Sequence, residues 1–266
     1  MTCWKDVLKV IYSSAYVITT GYRSVSPDFA ALTRGTAYTY QDFTIAQNTL
    51  TISTDKKLAM LIDEADRYQQ SYSDWMEIAD YQGEMALEYI EGVMLAAHTS
   101  WTNFGAEDLA GTSADGETKI DVSASNIDNL IIAIKRKINT NTGTKLGIQN
   151  GLFIVWRPQD WAALELFVMA NGYNLADLAL KNGVPAGTAF HYMGVDHYLS
   201  TSHTAYHVFA GVKKCGEIGI LTGTWGQVKK IEDPGLVSGL GIVSRIDYGL
   251  SWPTPYVQFV MDINVN

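Results

Sequence analysis

The chain has 266 residues, of which 47% are apolar and 18% charged, and its formal net charge is −9. That balance excludes an intrinsically disordered chain and leaves enough length for a sizeable core in one large or two modest domains. A surface of this sign gains no counterion release on a phosphate backbone, which argues against a protein that grips nucleic acid but not against one that walls it in. Cys3 and Cys215 are the only cysteines, too few for a disulfide framework, so a reduced setting is expected. The apolar run at residues 7–17 is interrupted by Lys9 and by small polar residues. It is too short and too polar to span a bilayer, and a soluble, unsecreted chain with no membrane partner is expected. Fifteen tyrosines and seven tryptophans suit both a core and an interface.

In chain order, residues 1–30 read as an N-terminal arm. Val7, Leu8, Val10 and Ile11 make one or two amphipathic turns before Thr19-Thr20-Gly21 and Ser26-Pro27-Asp28 break the pattern. Such a segment is expected to dock on something, a neighbouring subunit being one choice. Residues 36–45 and 49–63 read as two extended segments around a turn at Gln47-Asn48, with Leu50 and Ile52, then Leu58, Met60 and Ile62, alternating with polar or small residues. A two-stranded ribbon is not stable alone in water, and no partner sheet is evident nearby, so an intermolecular support is expected.

Residues 74–98 give the clearest helix. Asp74 and Glu77 form a capping-box-like pair, and Trp75, Ala79, Ala86, Ile90, Val93 and Ala97 form a stripe at helical spacing. Gly83 and Gly92 each weaken it by about 1 kcal/mol, and Glu84, Glu88 and Glu91 are expected to face solvent. A loop over 104–121 leads to a second helix from Ser125 or Asn126, with Ile127, Leu130, Ile131, Ile134 and Ile138 on one face and Lys135-Arg136-Lys137 at the negative end of its dipole. Residues 152–156 form a buried-strand candidate, and Pro158 opens a helix closed by Asn171-Gly172. A short helix is expected over 174–182, strands over 188–199 and 205–210, a marginal helix over 212–221, and strands over 227–231, 240–248 and 256–265. The order of elements is mixed α+β.

No catalytic, cofactor-binding or metal residues are expected from the motifs present. His191, His197, His203 and His207 are close in sequence, and imidazole is a common metal ligand, but Gly194 and residues 200–204 break the strand register between them. Hydrogen-bonded or surface histidines are the expectation. There is no G-x-S-x-G elbow and no phosphate loop, and the glycine-rich residues 235–241 lie between strands without a helix to follow.

Several signals, in order, resemble the major capsid (coat) proteins of tailed bacteriophages. Leu50-Thr51-Ile52, Lys57, Ile62-Asp63-Glu64-Ala65-Asp66 and Gln69 are similar to the stretch leaving that family's extended loop, and the helix over 74–98 to its spine helix. Trp156-Arg157-Pro158 resembles the entry to its axial domain, residues 195–202 a later strand and turn, residues 210–215 the alanine–glycine start of a final helix, and Tyr248-Gly249 a recurrent pair. Cys215 stands where alanine is commoner, Ser200-Thr201-Ser202 lacks the usual asparagine, and the first thirty or so residues match little.

The resemblance implies an α+β Hong Kong 97-type capsid fold: arm at 1–30, extended β-hairpin loop at 31–70, peripheral domain with spine helix at 71–147 and 226–266, axial domain at 148–225. It implies a structural protein, not an enzyme, that assembles with copies of itself into pentamers and hexamers of an icosahedral head around double-stranded DNA. A portal, and scaffold or decoration proteins, are further expected partners, and the virion, assembled in the host cytoplasm, the expected location. Trp4, Tyr40 and Phe43 are expected subunit contacts, with Lys56 and Lys57 in the same region. The alternative is an encapsulin-like cellular compartment, which shares the fold but carries enzyme cargo. The rival from another class is a metal-dependent enzyme built on the region from His191 to His207.

Overall fold

The computed structural model describes residues 2–23, 34, 35, 37, 45–63, 75–111, 118–141, 150–170, 190–202, 206–225, 227–231 and 239–266. The expectations for residues 36, 38–44, 64–74, 171–189, 203–205 and 235–238 lie outside them, including Tyr40, Phe43, His203 and the helix over 174–182. The chain opens with α1 (Trp4–Val7), β1 (Lys9–Ser13), β2 (Val17–Arg23), β3 (Ile45–Thr51) and β4 (Thr54–Asp63). Helix α2 (Trp75–Ala96) runs into a 3-10 turn (Ala97–Ser100), then β5 (Thr102–Phe104), α3 (Ala106–Leu109) and α4 (Ile127–Asn141). There follow β6 (Leu152–Trp156), α5 (Pro158–Ala170), β7 (Phe190–Tyr192), β8 (Val195–Leu199), β9 (His207–Val212) and β10 (Glu217–Leu221). The chain closes with β11 (Val228–Ile231), β12 (Gly239–Ser251), α6 (Thr254–Val257) and β13 (Val260–Asn264).

Two main sheets share one apolar core. The first runs β1-β10-β12-β11, with β4 on the other edge of β12; the second is six-stranded, β5-β13-β9-β6-β8-β7. The second sheet is assembled from segments on both sides of residue 148, and β13 returns to pair with β9. The division expected at 148 and 226 therefore does not follow the sheets, because β5 and β13 complete the sheet that holds β6 to β9. Helix α4 buries Ile127, Leu130, Ile131, Ile134 and Ile138, the whole of its expected apolar face.

Three sequence expectations are corrected, and the arm's dock is found in its own chain. Gln47 and Asn48 are not a turn: they sit within β3, paired with Gly21 and Thr20 of β2, and the break comes at Ile52-Ser53. The ribbon does have a partner in its own chain, because β4 pairs with β12 over ten residues, Thr54↔Tyr248 to Asp63↔Gly239. Such long-range pairing leaves no local sign. The arm, from Thr2 to Arg23, is woven into the body, with β1 parallel to β10 and Cys3 N–H donating to Glu91 Oε2 at 2.6 Å.

Residues 212–221 are not helical either. Lys214 takes φ 61°, which ends the turn after β9, and all five residues of β10 are buried. A strand buried on both faces reads as a continuous apolar run that periodicity cannot separate from a helix.

Both cysteines are buried and free. Burial, together with the neighbouring Glu91 carboxylate, raises the Cys3 thiol well above its ordinary value, and burial pushes Cys215 up to about 12. The thiolate is the reactive form. An aromatic disulfide reagent at neutral pH is therefore expected to titrate neither thiol in the native chain and both once denaturant is added, read from absorbance.

Candidate functional site

One exposed apolar surface is built on the β2–β3 ribbon. Its inner face carries Ile18, Thr20, Asn48 and the buried Leu50, while Val17 (56% exposed) and Ile45 (59% exposed) lie on the outer face. The seat beneath it is a pair of glycines, Gly219 of β10 directly opposite Gly249 of β12. A Cβ at Gly219 would lie 3.0 Å from both Ile18 Cδ1 and Leu50 Cδ2, and one at Gly249 would lie 2.1 Å from the carbonyl oxygen of Thr51. The missing side chains make room for the ribbon's base to lie flat on the sheet.

A polar pin holds the same base. Glu217 accepts hydrogen bonds from Thr20 Oγ1 at 2.6 Å, Lys9 Nζ at 2.9 Å and Asn48 Nδ2 at 3.1 Å. Burial pushes its carboxyl up, but the donors from Thr20, Lys9 and Asn48 outweigh burial and hold it below the ordinary range. A lowered carboxylate pKa contributes stability that is present above the unfolded value and is lost as pH falls through the folded one. The Thr20→Val substitution keeps the shape and removes one donor to a charged acceptor. It is expected to cost about 1–2 kcal/mol in urea unfolding and to move the acid transition to higher pH.

Strand β4 offers a second surface. It pairs with β12 on one edge, and among the described residues no strand pairs with the other. Lys56 and Lys57 are exposed there, with Leu61 57% exposed. Lysines on an open edge discourage indiscriminate strand pairing. Trp4 is not such a contact: it is fully buried in its own chain, edge-on to Trp225 with ring centroids 6.0 Å apart. The aromatic count cannot tell an anchor in the core from one at an interface. Tyr40 and Phe43 fall between β2 and β3 in sequence, outside the described residues.

The spine-like helix α2 turns one of its carboxylates inward. Glu84 and Glu88 are exposed, but Glu91 is buried. It takes the Cys3 N–H on one oxygen and the Ser200 hydroxyl on the other, joining α1, α2 and the end of β8. Sequence reading missed this, because a buried acid on a helix looks like a solvated one until its distant donors are known.

Among the described residues, His191, His197 and His207 do not converge as a sequence cluster. Exposed His191 bonds Asp196 at 2.7 Å. His197 is buried between Trp156 Nε1, which donates to its Nδ1 at 2.9 Å, and the carbonyl of Tyr192, which its Nε2 meets at 3.2 Å. His207 instead joins two residues far away in sequence, His98 and Asp262. The basic triplet on α4 also finds partners: Lys135 Nζ donates to Met193 O at 2.7 Å and Lys137 Nζ to Asp108 Oδ2 at 3.0 Å. No helix among the described residues is long and apolar enough to cross a membrane.

No protein-family profile and no curated protein matches the chain. Solved structures do. The capsid of the cyanophage P-SCSP1u is similar over 100% of this chain and 88% of its own, with TM-score 0.66 and 10% identity. The capsid of Ralstonia phage GP4 is similar over 97% of this chain and 86% of its own, with TM-score 0.62 and 9% identity. A virus-like particle from Pyrococcus furiosus is similar over 99% of this chain and 92% of its own, with TM-score 0.57 and 12% identity. Similarity over 97–100% of the chain, together with its mixed helices and sheets, shows that the chain has the α+β Hong Kong 97-type capsid fold.

Proposed function

We propose that this chain is the major coat subunit of a tailed-phage head. In this reading copies of it form the pentamers and hexamers of an icosahedral shell around double-stranded DNA, assembled in the host cytoplasm, with a portal and scaffold or decoration proteins as partners. The observation that carries the reading is the whole-chain likeness to phage capsid structures. The net charge of −9 suits a wall that encloses DNA without binding its sequence. The outer face of the β2–β3 ribbon and the open edge of β4 with Lys56 and Lys57 are the subunit contacts in this reading. Tyr40 and Phe43 are further contacts in this reading.

The test is imaging of particles from cells that express the chain with its neighbouring genes. Closed shells support the reading, and a chain that stays a small oligomer under all such conditions sinks it. Val17→Asp with Ile45→Asp is expected to leave the fold intact by circular dichroism while blocking shells. Normal shells from that double variant would remove the ribbon from the contact. The virus-like particle from Pyrococcus furiosus favours a second reading, a protein compartment. Protein rather than nucleic acid inside purified shells would select it.

A further inference from the structure

We infer that His98, His207 and Asp262 form a binding site for a first-row divalent transition-metal ion, zinc being the representative. The three ligands come from separate elements: His98 from the 3-10 turn that ends helix α2, His207 from the start of β9, and Asp262 from β13. The β9–β13 register explains why two of them meet. Asp262 lies opposite Phe209, and His207 is two residues from Phe209, so all three project from the same face of the sheet. The 3-10 turn lays His98 over that face, with its ring centroid 4.5 Å from that of His207.

The donor atoms lie within 4.8 Å of one another. His98 Nδ1 is 2.8 Å from Asp262 Oδ2 and His207 Nδ1 is 2.7 Å from Asp262 Oδ1. Two ligands each about 2.1 Å from a zinc ion, at angles between a right angle and the tetrahedral one, sit roughly 3.0–3.4 Å apart. The two histidine–carboxylate pairs therefore have to open by only a few tenths of an ångström, and the two imidazole nitrogens, within 4.8 Å of each other, have at most to close by a comparable side-chain rotation. The side chains of His98, His207 and Asp262 are 12%, 23% and 6% exposed, which leaves an opening for a solvated ion while keeping the carboxylate shielded.

The donor set selects the class of ion. Two imidazoles and one carboxylate suit zinc, cobalt, manganese or ferrous iron, whereas magnesium and calcium prefer oxygen throughout. With neutral imidazoles the site carries the single charge of Asp262, which favours a dication. In binding, each imidazole moves its proton from Nδ1 to Nε2, the freed Nδ1 lone pair goes to the metal, and the carboxylate exchanges two N–H donors for the ion. Protons balance without release. The three protein ligands leave at least one position for water. The edge of the site is aromatic, with Phe209 5.5 Å from His98 between ring centroids and stacked on His207 at 6.4 Å. The consequence is a staple that joins the end of the long helix to the six-stranded sheet.

The experiment uses the purified chain, freed of metal by chelator and dialysed against cobalt(II) alone, then zinc alone. Expected are about one ion per chain, visible cobalt absorption bands that zinc removes, and a higher melting temperature with zinc. Either His98→Gln or His207→Gln is expected to weaken binding roughly tenfold or more, while His191→Gln leaves it unchanged. Near-ultraviolet circular dichroism checks that each metal-free variant stays folded. A parent chain that binds no cobalt or zinc at micromolar concentrations overturns the site, and this measurement needs no variant. Binding that persists in both His98→Gln and His207→Gln, or that disappears in His191→Gln, also overturns it. These outcomes do not depend on whether the chain forms shells.

Discussion

Gly249→Ala is expected to destabilise the chain by more than about 3 kcal/mol and to leave little folded subunit for assembly. The added Cβ would sit 2.1 Å from the carbonyl oxygen of Thr51, 2.8 Å from its carbonyl carbon and 3.1 Å from Ile52 Cα. All of these are backbone atoms, so no side-chain rotation relieves the clash. Overpacking against movable side chains commonly costs 1–3 kcal/mol, and a rigid neighbour puts this site at or above the top of that range. Whole-domain stabilities are only about 5–15 kcal/mol, so the loss is large. The only relief is to lift the base of the β2–β3 ribbon off β10 and β12, which also moves the proposed contact face.

Gly83→Ala on helix α2 is the matched control, since a Cβ there meets nothing within 4 Å. It is expected to stabilise the chain by about 1 kcal/mol through helix propensity. Urea unfolding of the two variants beside the parent decides the matter. A Gly249→Ala chain as stable as the parent would show that Thr51 is not held against β12.

Gly249 also shows what was legible beforehand and what was not. Its pairing with Tyr248 marks the resemblance to coat proteins, but the reason for a glycine lies in Gly219 and Thr51, remote in sequence and brought together by the sheet. Several elements were readable: α2 and α4 stand close to where helical spacing put them, α5 close to where Pro158 opened it, and the strands of residues 152–156 and 240–248 close to where they were expected. Three of the failures come from partners or cover that local pattern does not reveal. The helix expected over 212–221 is a central strand, the ribbon's support is β12 of the same chain, and Glu91 is buried, each decided by a partner more than a hundred residues away along the chain or by burial on both faces. Local pattern carries no information about such partners. The metal-site ligands are the extreme case. His207 stood out among its sequence neighbours, yet the residues it meets are His98 and Asp262, and no spacing rule links positions on a helix end and two paired strands.

Acid is expected to cost the unassembled chain about 3 kcal/mol through His197 alone. Burial is the main cause of its lowered pKa; the bond to the Tyr192 carbonyl and the Asp196 charge oppose burial but do not overcome it, and the value falls from 6.5 to about 4. The hydrogen bonds show why the neutral ring fits. Trp156 Nε1–H donates to Nδ1 and Nε2–H donates to the Tyr192 carbonyl, so both ring nitrogens are satisfied in one tautomer. A proton on Nδ1 would set two donors face to face and strand the indole N–H in the core, where an unpaired donor is costly.

For a base with a depressed folded value, the unfolded chain takes up the proton first. Stability is complete above about pH 6.5, falls between about pH 6.5 and 4, and is then flat with respect to this group. His197→Gln keeps a donor and an acceptor and removes the titration. Glu217 and Asp196, both lowered, add their own acid loss to parent and variant alike, so they cancel in the difference. Urea unfolding near pH 7.5 and near pH 4.5 should show the parent losing about 2–3 kcal/mol more than His197→Gln. Equal losses in the two proteins would mean that His197 is protonated in the folded chain, and the Trp156 bond would then have to be absent.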